Sequence, residues 1–124
     1  GSGLVPLMAM IRQRRVEAQN VPTALLLSAR TARDVLYAKE LQAIEFDDPG
    51  FVLSLAITRE APTRETDFAR RIDGAMVQEV ITRLPRTPAH VFVCGSNGFV
   101  NIATDGALFA GLDAATIKTE RYGG

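Results

Sequence analysis

The chain has 124 residues and a mass of 13.4 kDa, with 14 basic against 14 acidic side chains, the size of one domain. Apolar residues at 47% and charged residues at 23% match a globular chain rather than a disordered one. The even charge balance argues against a dedicated nucleic-acid binder, and no run reaches the roughly 18 apolar residues of a membrane span.

Leu4, Leu7, Met8 and Ile11 follow the spacing of one helix face, and Arg12, Arg14 and Arg15 load that helix's end with cations, where the backbone dipole favours them. Val21-Pro22 breaks it. Ala24 to Ala29 is a short apolar run, read as a strand buried on both faces. A second helix is expected from about Ala32 to Phe46, with Tyr37, Leu41 and Ile44 on one face, and Asp47-Asp48-Pro49-Gly50 is a turn. Phe51 to Ile57 reads as a second buried strand. Residues 58–71 read as polar and irregular, with arginines at 59, 64, 70 and 71. A third helix carries Ile72, Met76, Val77, Val80, Ile81 and Leu84 inward and ends at Pro85 and Pro88. Val91 to Cys94 is a third strand, Gly95 to Gly98 opens a fourth helix running to about Gly111, and Ile117 to Thr119 is a last short strand. Helices and strands therefore alternate, the pattern of an α/β fold with a parallel sheet and helices on both faces. Nothing marks an internal boundary, so residues 1–124 are expected to form one domain.

Single residues exclude further chemistry. One cysteine, Cys94, and one histidine, His90, rule out an intrachain disulfide, a cysteine-ligated iron–sulfur cluster and a histidine-rich metal site. A lone thiol and an N-terminus without a leader pattern point to the cytoplasm. His90 opens its strand and reads as structural. Cys94, without a histidine at its own end of the sheet, is not an activated nucleophile.

Ligands of open α/β sheets bind outside the carboxyl ends of the strands, and four segments fall there. Ser28-Ala29-Arg30 ends the first strand with a hydroxyl and a guanidinium, which suit a phosphorylated ribose or serve as a cap with a solvated arginine. Thr58-Arg59-Glu60 repeats that chemistry after the second strand, and Arg70 and Arg71 add charge nearby or lie in a solvated loop. Cys94-Gly95-Ser96-Asn97-Gly98-Phe99 ends the third strand in a glycine turn, with the thiol either beside a ligand or buried as a small hydrophobe. Glu120-Arg121-Tyr122 ends the last strand, as part of the same crevice or as a frayed tail. Gly1-Ser2-Gly3-Leu4-Val5-Pro6 is an expression scar or a phosphate-approaching turn before a helix, with Pro6 placed in its first turn, where a missing N–H costs nothing.

In this order the segments resemble the NAD(P)-binding domain of the ferredoxin–NADP reductase family over essentially the whole chain. The family's G-[ST]-G-x-x-P turn is similar to Gly1 to Pro6. Its S-x-R stretch with an acidic-tyrosine helix is similar to Ser28, Arg30, Asp34, Tyr37 and Glu40-Leu41. Its [ST]-R-E strand end is similar to Thr58-Arg59-Glu60, and its R-I-D helix start to Arg71-Ile72-Asp73. Its C-G-[PS]-x-[GP]-F turn is similar to Cys94 to Phe99, and its terminal E-R-[FY]-G to Glu120 to Gly123. Ser96 stands where the family commonly has proline. The family's basic-x-aromatic pair, often found in strongly NADP-specific members, has no clear counterpart.

The resemblance implies a Rossmann-like open parallel sheet whose first, central strand lies upstream of Gly1, and a bacterial FAD-dependent reductase whose flavin domain is absent from this chain. It implies that Gly1, Ser2, Gly3 and Pro6 hold a pyrophosphate, and that Ser28 and Arg30 line the adenosine side. Thr58 and Arg59, with Arg71 nearby, would take the 2′-phosphate of NADP, which is favoured over NAD. It also implies that Cys94 and Glu120 sit around the nicotinamide, that Gly95, Ser96 and Phe99 help bind the cofactor, and that Tyr122 packs near the flavin. Hydride would pass to FAD held mainly by the upstream domain, and electrons onward to a ferredoxin or oxygenase component. Without that domain the chain alone is expected to be inactive. The alternative is a stand-alone nucleotide-binding or regulatory module without catalysis. A receiver-type domain is disfavoured because the strand ends carry Ser28, Thr58 and Cys94 rather than a cluster of acids.

Overall fold

The computed structural model describes residues 4–17 and 20–121. Four strands and four helices alternate along the chain: α1 (Leu4–Glu17), β1 (Thr23–Ala29), α2 (Ala38–Asp47), β2 (Phe51–Ile57), α3 (Gly74–Thr82), β3 (Val91–Gly95), α4 (Asn97–Phe109) and β4 (Ile117–Arg121). The fold is α/β with parallel pairing. β1 runs beside β2 in the register Thr23 to Phe51 through Ala29 to Ile57, and β3 beside β4 from Val91 with Ile117 to Gly95 with Arg121.

Alternation along the strands sorts the helices onto two faces. Leu25, Leu27 and Ala29 of β1 and Leu53, Leu55 and Ile57 of β2 pack with Leu4, Met8 and Ile11 of α1 and Leu41 and Ile44 of α2. The intervening residues Ala24, Leu26 and Ala56 pack with Met76 and Val80 of α3 on the other face. α4 joins this second side through Val100 and Ala103 against Val93. It meets α3 where Gly106 approaches Gly74, a Cβ at Gly106 falling 3.0 Å from the Gly74 Cα.

β1–β2 and β3–β4 form separate two-stranded sheets rather than one open sheet. Between them lies a cavity of about 680 Å3 lined by every residue of β1 and of β3 and by none of β2 or β4. The unpaired edges of β1 and β3 therefore face each other across it, with Leu7 and Ile11 of α1 and Val77 and Val80 of α3 also lining it. This cavity separates the halves at the position expected for a central strand. It also explains why β1, expected to be buried on both faces, has only Leu25 fully buried while β2 is almost wholly enclosed.

Three elements differ from the sequence reading. The helix expected over 32–46 is broken. Ala32–Asp34 is a single 3-10 turn, Tyr37 sits in the left-handed region at φ 59°, and α2 begins only at Ala38. Tyr37 is held there from α1, since the Arg12 guanidinium lies 5.2 Å over its ring and bonds both carboxylate oxygens of Glu40 at 2.8 Å. α3 starts at Gly74, capped by the Asp73 carboxylate accepting from the Met76 amide at 2.8 Å. It ends at Thr82, short of Leu84, whose helical conformation Pro85 disfavours, and Arg83 donates to Ser54 Oγ at 2.6 Å and to the Thr66 carbonyl at 2.8 Å, stacking on Phe68.

The segment expected to be irregular closes the outer edge of β2. Phe68 bridges Ala56 in parallel, accepting from Ile57 N and donating to the Leu55 carbonyl, both at 2.8 Å. Asp67 and Glu45 accept from the Leu55 and Leu53 amides, and Thr66 Oγ1 donates to the Leu53 carbonyl. Arg64 braces both acids. These bonds satisfy backbone groups that an open edge would present for pairing. Arg14, expected to load the end of α1 as a cation, is buried there, donating to the Val21 carbonyl at 2.7 Å and to Asp48 at 2.6 Å.

Candidate functional site

The carboxyl ends of β1, β2 and β3 carry the polar residues singled out in the sequence. Parallel pairing continues past the first two strands, with Thr58 N donating to the Ala29 carbonyl at 3.1 Å and Arg59 N to the Arg30 carbonyl at 2.8 Å. Arg30 and Arg59 are thereby neighbours on adjacent strand ends. Thr31 and Asp34 close the turn that follows β1, Asp34 Oδ2 accepting from the Thr31 amide at 3.2 Å and its hydroxyl at 3.0 Å. Glu60 reaches across from the β2 side and accepts from the Ala32 amide at 2.6 Å.

The acids in these loops are committed to backbone and hydroxyl donors rather than to the arginines beside them. Among the described residues, Arg30, Arg33 and Arg59 make no ion pair or side-chain hydrogen bond, nor does Arg71. All four are exposed. Solvated, unpaired guanidiniums can grip phosphate oxygens bidentately without first breaking an internal pair. Arg33 was not singled out from the sequence; its place one turn on from Arg30 is the signal that would have found it. Arg70 stands apart from this group, since it pairs with Asp73 at 2.8 Å and lies over Phe68. That pairing holds the Asp73 carboxyl below its usual range, aided by the Met76 amide. The parallel bridge at Phe68 carries the chain toward the same carboxyl end, three residues before Arg71.

The third strand end forms the other side. Ser28, Cys94, Gly95, Ser96 and Phe99 all line the cleft between β1 and β3. Gly95 adopts φ +157°, and a Cβ there would fall 2.8 Å from Phe99 Cδ1. Glycine thus lets the turn fold tightly over the helix start. Ser96 caps α4 by accepting from the Phe99 amide at 3.3 Å. Cys94 is half-buried and pairs in register with Glu120. Burial and then the Glu120 carboxylate push its thiol above the ordinary range. Arg121 ties the end of β4 to α4, donating to the Asn97 carbonyl and side-chain oxygen at 3.3 Å each.

Other sequence candidates lie elsewhere. Pro6 occupies the third position of α1, inside its first turn. Gly1, Ser2, Gly3 and Tyr122 lie outside the described residues. His90 lines the cleft at the amino end of β3, 6.2 Å from the Phe92 ring and at the opposite end of the strand from Cys94. Among the described residues no three acids, cysteines or histidines group as a metal site, and no helix is long and apolar enough to cross a membrane.

Known proteins resemble the chain in fold and in sequence. The FAD/NAD-binding domain of a nitric oxide dioxygenase from Vibrio cholerae superposes with a TM-score of 0.79 at 18% sequence identity, covering 100% of this chain and 48% of that one. In sequence, an NADPH oxidoreductase of Mycobacterium tuberculosis is 32% identical over 103 residues, spanning 83% of this chain and 24% of that protein. The glycine betaine monooxygenase reductase subunit of Chromohalobacter salexigens is 26% identical over 125 residues, 99% of this chain and 33% of that protein. The chain thus spans a quarter to a third of the length of these curated relatives. The family model described as the oxidoreductase NAD-binding domain matches residues 1–105, and the chain belongs to that ferredoxin reductase-type family of NAD-binding domains.

Proposed function

We propose that this chain binds NAD(P)H across the carboxyl ends of β1, β2 and β3 and turns the nicotinamide toward an FAD held mainly by an upstream domain. In that arrangement the nicotinamide supplies a hydride and the flavin accepts it, so the protein's part is position and electrostatics. The observation that carries the reading is the pair Arg30 and Arg59, both without a side-chain partner and set on adjacent strand ends whose backbones are joined by the Arg59 N to Arg30 carbonyl bond. Such a pair suits a dinucleotide with an extra ribose phosphate, which favours NADP over NAD. Thr58 and Arg71 stand beside Arg59 to take part in holding that phosphate, and Ser28 lies on the ribose side.

Cys94, Gly95 and Ser96 form the wall against which the nicotinamide ring packs, with Phe99 behind the turn and Glu120 beside the thiol. The raised thiol stays protonated near neutral pH and acts as a neutral, polarizable contact that orients the ring. Gly1 to Gly3 with Pro6 would cradle the pyrophosphate, and Tyr122 would meet the flavin. Electrons pass on to a ferredoxin or an oxygenase component, a reading supported by the reductase subunit among the relatives. A parallel strand supplied from outside residues 4–121 fits the cleft between β1 and β3 and would join the two half-sheets into one.

Calorimetry on the intact protein with 2′,5′-ADP and 5′-AMP tests the binding reading. A preference of tenfold or more for 2′,5′-ADP, about 1.4 kcal/mol, is expected. Binding of neither nucleotide would overturn it.

A further inference from the structure

We propose that Glu60 is a positioning residue for this site: its carboxylate anchors the Ala32 amide and thereby fixes the loop that carries Arg30 and Arg33 beside Arg59. The proposal rests on the nucleotide-binding reading of these strand ends and goes beyond it by assigning the loop's geometry to one side chain.

Glu60 Oε1 accepts from Ala32 N at 2.6 Å across 28 residues of sequence. Among the described residues, this is the one side-chain bond joining the loop after β1 to the loop after β2. The remaining polar contacts of residues 30–34 are the Arg59 N to Arg30 carbonyl bond, the Thr31–Asp34 bonds within the turn and the backbone bonds of the 3-10 turn. Ala32, Arg33 and Asp34 are exposed and none of the turn's residues is buried. Apolar packing therefore contributes little to its order, and a charge-assisted bond to its backbone matters correspondingly more.

A carboxylate beside a phosphate site would ordinarily repel the ligand or capture an arginine. Glu60 does not pair with an arginine among the described residues, although Arg59 is its sequence neighbour. Its charge is turned to a backbone donor, which leaves the guanidiniums open. Ordering the loop before the ligand arrives removes a conformational cost from binding. Glutamine at position 60 keeps a carbonyl oxygen that accepts the same N–H, whereas alanine removes the acceptor.

The test measures nucleotide affinity of the intact protein for wild type, Glu60→Ala and Glu60→Gln, with amide hydrogen exchange of residues 30–34 in the absence of ligand. Glu60→Ala should weaken 2′,5′-ADP at least fivefold, reduce its preference over 5′-AMP and speed exchange in the loop. Glu60→Gln should stay within about twofold of wild type in all three. Tighter binding in both variants would show that Glu60 acts only as a repelling charge and overturn the proposal. Unchanged affinity in Glu60→Ala, with wild type binding normally, would overturn it while leaving the nucleotide-binding reading intact. Failure of wild type to bind either nucleotide would overturn that reading and the proposal with it.

Discussion

At the scale of single residues, the chemistry of this site turns on which charges are already spent. Asp73 is occupied by Arg70 and by the Met76 amide, and Asp34 by Thr31, while Arg30 and Arg59 keep open guanidiniums. Arg59→Ala should therefore abolish the preference for 2′,5′-ADP over 5′-AMP with little change in 5′-AMP affinity; calorimetry reads both. Cys94 has a different role. Because burial and Glu120 raise its pKa, deprotonation is displaced further above neutrality, and the neutral thiol persists through pH 6 to 8. Cys94→Ser should slow hydride transfer in the intact protein by a factor that stays constant over that range, without loss of nucleotide binding. A rate equal to wild type in rapid-mixing experiments would refute the role. These strand-end residues were legible in the sequence because hydroxyls and arginines closing apolar runs are conspicuous. The burial of Arg14 was not, since its partners Val21 and Asp48 come from turns that only the fold brings to it.

Elements were legible where hydrophobic period and turn chemistry agreed. Both strands of the first half-sheet and the Asp47–Gly50 turn follow from local rules. The break between Ala32 and Ala38 did not, because residues 35–37 contain no glycine or proline. Tyr37 takes a left-handed conformation under a contact from α1, a tertiary effect overriding local preference. The edge closure of β2 by residues 64–68 was hidden for a similar reason: its bonds use side chains of Asp67, Thr66, Arg64 and Glu45 whose partners lie 8 to 19 positions away. Helix packing offers a sharper test. A Cβ at Gly106 would lie 3.0 Å from both the Gly74 Cα and the Val77 Cβ. Backbone cannot move aside as a flexible side chain can, so overpacking of about 1–3 kcal/mol should exceed the roughly 1 kcal/mol gained in helix propensity. Gly106→Ala should lower the denaturation midpoint, whereas Gly74→Ala, whose nearest contact is 3.6 Å, should be close to neutral.

For the whole molecule, the division into two half-sheets around a cleft is the feature with the widest consequence. Unpaired backbone groups facing an apolar cavity are costly unless something pairs with them. Amides on the cleft side of β1 and β3 should therefore be protected from hydrogen exchange in the intact protein and exposed in residues 1–124 alone; equal exchange in both would argue against a strand in the cleft. The α/β class and the order of strand-end motifs were legible in the sequence, whereas the cleft required coordinates, because it is defined by two edges 60 or more positions apart. Family membership joins these scales: the chain is an oxidoreductase NAD-binding domain, and the claim that it delivers hydride to a flavin is the central one. Rapid mixing of the intact, oxidised protein with NADPH or NADH measures it directly. Bleaching of the flavin absorbance, faster with NADPH than with NADH, is the expected result; a flavin spectrum left unchanged by either nucleotide would contradict the account.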